Sequence, residues 1–157
     1  MDNDLPIEIS LVRIVEDAES SSLDKRMMSR YAGGRIKVGL GASLQVTPSP
    51  DHSMPLQLDL TVTIDYSDTR MMLPRKLLSY TVVSSFVLGG EGVGAIQVEG
   101  GTLRLPHHVL TMMLNITIGA MRGMLALRTA GTPLADYPLP MLNVANLALT
   151  LTNTAVA

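Results

Sequence analysis

Cysteine is missing from these 157 residues, and with it go disulfides, thiol nucleophiles and thiolate metal sites, as suits a reducing compartment. Tryptophan is missing too, and phenylalanine occurs once, so no aromatic belt frames any apolar stretch as it would at a membrane interface. Charge is scarce as well. Only 17% of residues are charged, the net charge is −2, and no Lys/Arg run or basic patch spaced with aromatics occurs, so a nucleic-acid partner is not expected. The start, Met1-Asp2-Asn3-Asp4, is acidic and passes straight into a strand pattern without the basic and apolar regions of a secretory leader, which argues for a cytoplasmic protein.

Apolar residues fill the gap, at 46% of the chain with 11 methionines. A chain of this length builds one domain, 1–157, whose polar surface is small for its size, and that favours an oligomer. Ile7, Ile9 and Leu11 alternate with Glu8 and Ser10 before Val12 and Ile14 take over the apolar phase. The switch predicts a strand over about Ile7–Asp17 with a bulge or sharp twist inside it. The stretch from Glu19 through Gly33-Gly34 is a loop, yet it carries Leu23, Met27, Met28 and Tyr31. Alternation then predicts strands over Arg35–Thr47, Leu56–Tyr66 and about Leu77–Leu88, joined by turns that favour an antiparallel meander. The expected class is α+β: a four-stranded antiparallel sheet followed by one long helix packed on one face.

That helix spans Leu105–Leu127, with Pro106 in its first turn, Gly131 at its C-terminal cap, and Pro133, Pro138 and Pro140 preventing its resumption. It is apolar nearly all the way round. Val109, Met112, Met113, Ile116, Ala120, Gly123, Met124 and Leu127 make one stripe; Leu110, Leu114, Ile118, Met121 and Leu125 make another. One sheet covers one stripe, and five large side chains left in water would each forfeit roughly 1.5–3 kcal/mol. The second stripe therefore meets another subunit, a membrane or an apolar ligand, and Leu110, Leu114, Ile118, Met121 and Leu125 are assigned to an oligomer interface. Arg122 and Asn115 within the helix argue against insertion in a membrane. Gly119-x-x-x-Gly123 lets a neighbouring backbone approach, whether sheet or second helix. After the prolines, the apolar run Met141–Leu147 forms a short helix or an extended packing arm.

No constellation for catalysis stands out. His107 and His108 are adjacent, so on a helix they project about 100° apart and cannot chelate one metal. Asp59 and Asp65 share the wet face of the third strand, roughly 20 Å apart at ~3.3 Å per residue, too far to cooperate. The glycines Gly89-Gly90-Glu91-Gly92-Val93-Gly94 match no phosphate-binding spacing. No metal and no cofactor is expected, and no enzymatic activity. The loop residues Leu23, Met27, Met28 and Tyr31, with Leu134, Tyr137, Leu139 and Met141, remain as a candidate binding surface, since apolar groups in loops punctuated by Pro and Gly cover something or bind something.

The order of parts resembles the SecB family of export chaperones over about Ile7–Leu147. It is carried most by Leu78-Ser79-Tyr80-Thr81-Val82 leading through the glycines into the helix, then Thr129-Ala130-Gly131-Thr132-Pro133 and Leu142-Asn143-Val144. The resemblance implies a homotetramer, a dimer of dimers with sheets outward and long helices sandwiched between them. It also implies ATP-independent binding of unfolded polypeptide clients in apolar grooves bordered by the crossover loop, the helix and the loop after it. Family members that dock on the translocase motor SecA carry an acidic residue in the fourth strand and an acidic C-terminal extension. This chain has Thr81 there and lacks the extension, which puts SecA binding in doubt and leaves a dedicated client, such as a toxin–antitoxin pair, open. A hotdog-like acyl-thioesterase or acyl-binding protein is the alternative, although that fold places its helix after the first strand. A structural oligomer without a client is a third.

Overall fold

The computed structural model describes residues 6–29, 35–47, 56–70, 72–91, 97–99, 102–151 and 154–155. Four long strands form one antiparallel sheet: β1 (Glu8–Glu16), β2 (Ile36–Thr47), β3 (Leu56–Asp68) and β4 (Arg75–Gly89), in the spatial order β1-β4-β3-β2. β2, β3 and β4 are the expected meander. The chain from β1 to β2 instead crosses from one edge of the sheet to the other, and within it lies the short helix α1 (Lys25–Ser29).

The period of two decides which face is dry. Leu58, Leu60, Val62, Ile64 and Tyr66 of β3 are all fully buried, and they stand opposite Phe86, Ser84, Val82, Tyr80 and Leu78 of β4. The intervening β3 residues, Asp59, Thr61, Thr63 and Asp65, face the other way and are only half-buried. In β1 the register against β4 slips between Leu11 and Arg13, a bulge at the position where the apolar phase changes in the sequence. Without it, Ile14 would point away from the core it packs against.

A small hairpin of β5 (Gln97–Glu99) and β6 (Thr102–Arg104) leads into the long helix α2 (His107–Thr129); β7 (Thr154–Ala155) adds a third strand beside β6. Pro106 is the N-cap rather than a first-turn residue, and its carbonyl accepts from the amides of Val109 and Leu110. Gly131, at φ +78, turns the chain out of the helix in the left-handed region where glycine carries no steric cost. A 3-10 turn (Pro133–Asp136) and the short C-terminal helix α3 (Val144–Leu151) complete the order. The core lies between the dry face of the sheet and α2, with α3 against α2 and β2.

One stripe of α2 fills that core: Leu110, Leu114, Ile118, Met121 and Leu125 are each 3% exposed or less. They are the residues assigned from sequence to an oligomer interface, and the assignment is corrected. Val109 and Met113 of the other stripe are fully buried beside them, so the inward face draws on both stripes, and what is left in solvent is the part of the other stripe around Met112, Gly123 and Leu127.

Candidate functional site

With its large apolar row turned inward, α2 presents Met112, Gly123 and Leu127 outward, with Ile116 and Ala120 half-buried beside them. Met112 is 50% exposed and Leu127 80%. A Cβ built at Gly119 or Gly123 would meet nothing within 4 Å, so neither glycine is needed for packing against the sheet. At about 1.5 Å per residue the helix displays this strip over roughly 23 Å. α2 is also long and apolar enough by composition to cross a bilayer, yet one side of it is occupied by the sheet.

Two depressions flank the strip. An open cleft of about 400 Å³ is lined by His107, His108, Thr111, Met112, Asn115 and Ile116. A smaller one, about 130 Å³, lies between α2 and the segment entering α3, lined by Asn115, Ile118, Gly119, Arg122, Met141, Leu142 and Val144. The second is held in shape by polar ties: the Arg122 guanidinium donates to the Pro140 carbonyl at 3.4 Å, and a His107 ring nitrogen lies 3.1 Å from the Ala145 carbonyl. Met141, at 93% exposed, and Leu149, at 61%, stand at the surface of this region.

The loop residues expected to bind a client divide into three groups. Met28, Leu134 and Leu139 are core residues, 4% exposed or less, and their assignment as binding residues is corrected. α1 packs against the 3-10 turn, so these apolar loop residues cover the end of the protomer's own core. Leu23, Met27 and Tyr137 are half-buried: the Met27 sulfur lies 3.6 Å from the Arg75 guanidinium, and the Tyr137 carbonyl accepts from the Tyr66 hydroxyl at 2.8 Å. Met141 is open to solvent. Tyr31 lies outside the described residues. The exposed Met112, Leu127 and Leu149 were not among the site residues expected from sequence; the glycine-interrupted stripe of α2 was the available signal for the first two.

Charged groups tie α2 to the sheet and brace the β3–β4 turn. At the far end of α2, Arg128 grips the Glu16 carboxylate of β1, with Nε to Oε2 at 3.0 Å, and the Tyr80 hydroxyl donates to the same oxygen at 3.1 Å. Burial, then the nearby Glu16 charge, pushes the Tyr80 phenol up to about 12, while the hydrogen bond and charge of Glu16 raise Arg128 further. Burial likewise takes Tyr66 to about 12. Near the start of β4, hydrogen bonds from Arg70, side chain then backbone, hold Asp68 below its ordinary value.

The opposite face of the sheet is polar and tied to itself. Asp59 accepts from Ser85 at 2.7 Å, and Asp65 faces Lys76 at 3.6 Å, so the two aspartates serve cross-strand contacts in addition to solvation. Thr81 is 1% exposed; its hydroxyl donates to the Ser20 carbonyl at 3.1 Å and accepts from Thr63 at 2.9 Å. Among the described residues, no three His, Asp or Glu side chains gather where a metal ion would be held. Compared with known proteins, the chain matches no family model and no curated protein.

Proposed function

We propose that this protein is an ATP-independent holdase that binds unfolded or partly folded polypeptide, built on the plan of the SecB-like chaperones. The observation that carries the proposal is the outward side of α2: Met112 and Leu127 stay in water although the helix's inner row already fills the core. Each such side chain forgoes roughly 1.5–3 kcal/mol by remaining uncovered, a cost that surfaces made for association bear.

In this proposal the stripe and the Gly119/Gly123 gap pair with α2 of a second copy, toward a dimer of dimers. Met141, Leu149 and the cleft beside Met112 then form apolar margins where extended chain binds, and methionine's flexible thioether suits margins that must fit many sequences. No catalytic step is involved. The order of parts supports the SecB-like plan: a long first strand, a crossover, a three-strand meander, one long helix, a proline-rich turn and a short final helix. Thr81, enclosed by Ser20 and Thr63, offers no charged contact to SecA, so the motor is left out and a cytoplasmic, dedicated role is preferred.

The test is suppression of aggregation of a reduced, unfolded protein at stoichiometric amounts without nucleotide, alongside the solution mass. Protection by an oligomer, weakened by Met141→Ser with Leu149→Ser, is the expected result. A monomer that gives no protection overturns the proposal.

A further inference from the structure

The turn between β3 and β4 carries two adjacent large apolar side chains that stand almost wholly in solvent, Met72 at 103% and Leu73 at 83%, followed by the exposed Pro74. Side chains that open to solvent must protrude, and they do so from a braced base. Asp68 pairs with Arg75 across the β3–β4 ladder, and the Asp68 carboxylate accepts from Arg70 Nε at 3.0 Å. Around this base the fold collects cations from separate stretches of chain. The Thr69 amide and hydroxyl both donate to the Arg35 carbonyl, Lys37 pairs with Ser67 and Ser67 with Lys76. Arg75 reaches Met27 of α1, which brings Lys25 and Arg26 to the same end. The carboxylates here are Asp68, engaged by Arg70; Asp65, facing Lys76; Asp24, which accepts from the Arg26 amide; and Asp136 on the turn packed against α1. Against these four stand seven cations, Lys25, Arg26, Arg35, Lys37, Arg70, Arg75 and Lys76, an excess of positive charge at this end of a chain whose net charge is −2.

We propose that this hairpin tip docks the protein on an anionic lipid bilayer, with Met72 and Leu73 entering the interface and Lys25, Arg26, Arg35 and Lys76 lying over the headgroups. A protruding apolar tip has no concavity with which to enclose a peptide, whereas a bilayer surface yields around it. The basic collar selects a negatively charged surface, and neither element suffices for stable docking without the other. α2 remains in the protomer, so the contact is peripheral and independent of the holdase proposal.

The chain has no tryptophan, so Leu73→Trp supplies a single reporter at the tip. Vesicles of phosphatidylcholine, alone or with roughly 30 mol% phosphatidylglycerol, are titrated with this variant and floated with the unaltered protein. Expected are a blue shift and co-flotation with the anionic vesicles only, both reversed by about 0.5 M NaCl. Binding falls at least ~10-fold in Met72→Ser with Leu73→Ser while the far-ultraviolet circular dichroism is unchanged. An unshifted tryptophan, equal binding to both vesicles, or undiminished binding by the double variant overturns the proposal. So does a double variant that loses capture of unfolded polypeptide but keeps vesicle binding, which would make the tip a polypeptide contact.

Discussion

Exchanging side chains on the two faces of α2 separates what folds the protomer from what the protomer presents. Leu114 is completely buried against the sheet, and its truncation in Leu114→Ala removes contacts that neighbouring side chains refill only in part. Substitutions of this kind cost about 2–5 kcal/mol, a large share of the ~5–15 kcal/mol that holds a domain. With a urea dependence of roughly 1–3 kcal/mol per molar, the midpoint falls by about 1–2 M. Met112→Ser with Leu127→Ser, on the exposed face, shifts the unfolding free energy of a dilute sample by no more than ~0.5 kcal/mol, because neither side chain has a core to leave. The same pair abolishes any dependence of the midpoint on protein concentration and lowers the mass in solution, since an assembly held by that stripe stabilises its subunits by mass action. Urea unfolding at two protein concentrations, with light scattering on the same samples, reads all of this. A Leu114→Ala protein as stable as the parent, or an outer-face variant that keeps both its mass and its concentration dependence, refutes the division of faces.

Other substitutions test particular contacts. The Ser84 hydroxyl is buried without a hydrogen-bond partner on the dry face of β4, so Ser84→Ala raises stability by ~1 kcal/mol in the same urea titration. Gly90 sits at φ +89, where a Cβ would stand 2.6 Å from the Pro6 carbonyl oxygen; Gly90→Ala therefore costs roughly 1–3 kcal/mol or more. Tyr66 and Tyr80 ionise near 12 when folded and near 10 when unfolded, so their contribution is whole below pH ~10 and is lost as pH climbs toward 12. Tyrosinate absorbance should show these two ionising near 12 or with the opening of the fold, whichever comes first, and a separate transition near 10 for either in the folded protein would contradict their burial. Asp68 has the opposite sign: held below its usual value by Arg70, it stabilises above the ordinary carboxylate range and fails as pH drops through it. Asp68→Asn accordingly flattens the acid limb of the stability profile.

Periodicity made the sheet legible. The run Leu58, Leu60, Val62, Ile64 and Tyr66 leaves one dry face, and the phase change at Leu11–Val12 marks the bulge that keeps Ile14 inward. Composition also showed that α2 has more apolar surface than a sheet can cover. It did not show which stripe turns inward, because a hydrophobicity pattern weighs Leu114 and Met112 alike. The shape of the opposing surface decides, and it takes Leu110, Leu114, Ile118, Met121 and Leu125 together with Val109 and Met113, a face drawn from both stripes. The loop residues failed for a related reason. Met28 and Leu134 stand far apart in sequence and lie among prolines, glycines or serines, and nothing local announces that α1 and the 3-10 turn close over the same end of the core. The basic collar around Met72 and Leu73 was hidden likewise, being assembled from Lys25, Arg26, Arg35 and Lys76, which no single window of sequence contains.

The position of β1 at the sheet edge beside β4 sets a timetable for the nascent chain. Glu8 pairs with Gly89 and Glu16 with Val82, so the first strand to leave the ribosome is the last of the sheet able to find its neighbour. Until β4 emerges, an amphipathic N-terminal segment must wait unpaired while β2 and β3 zip together nearby.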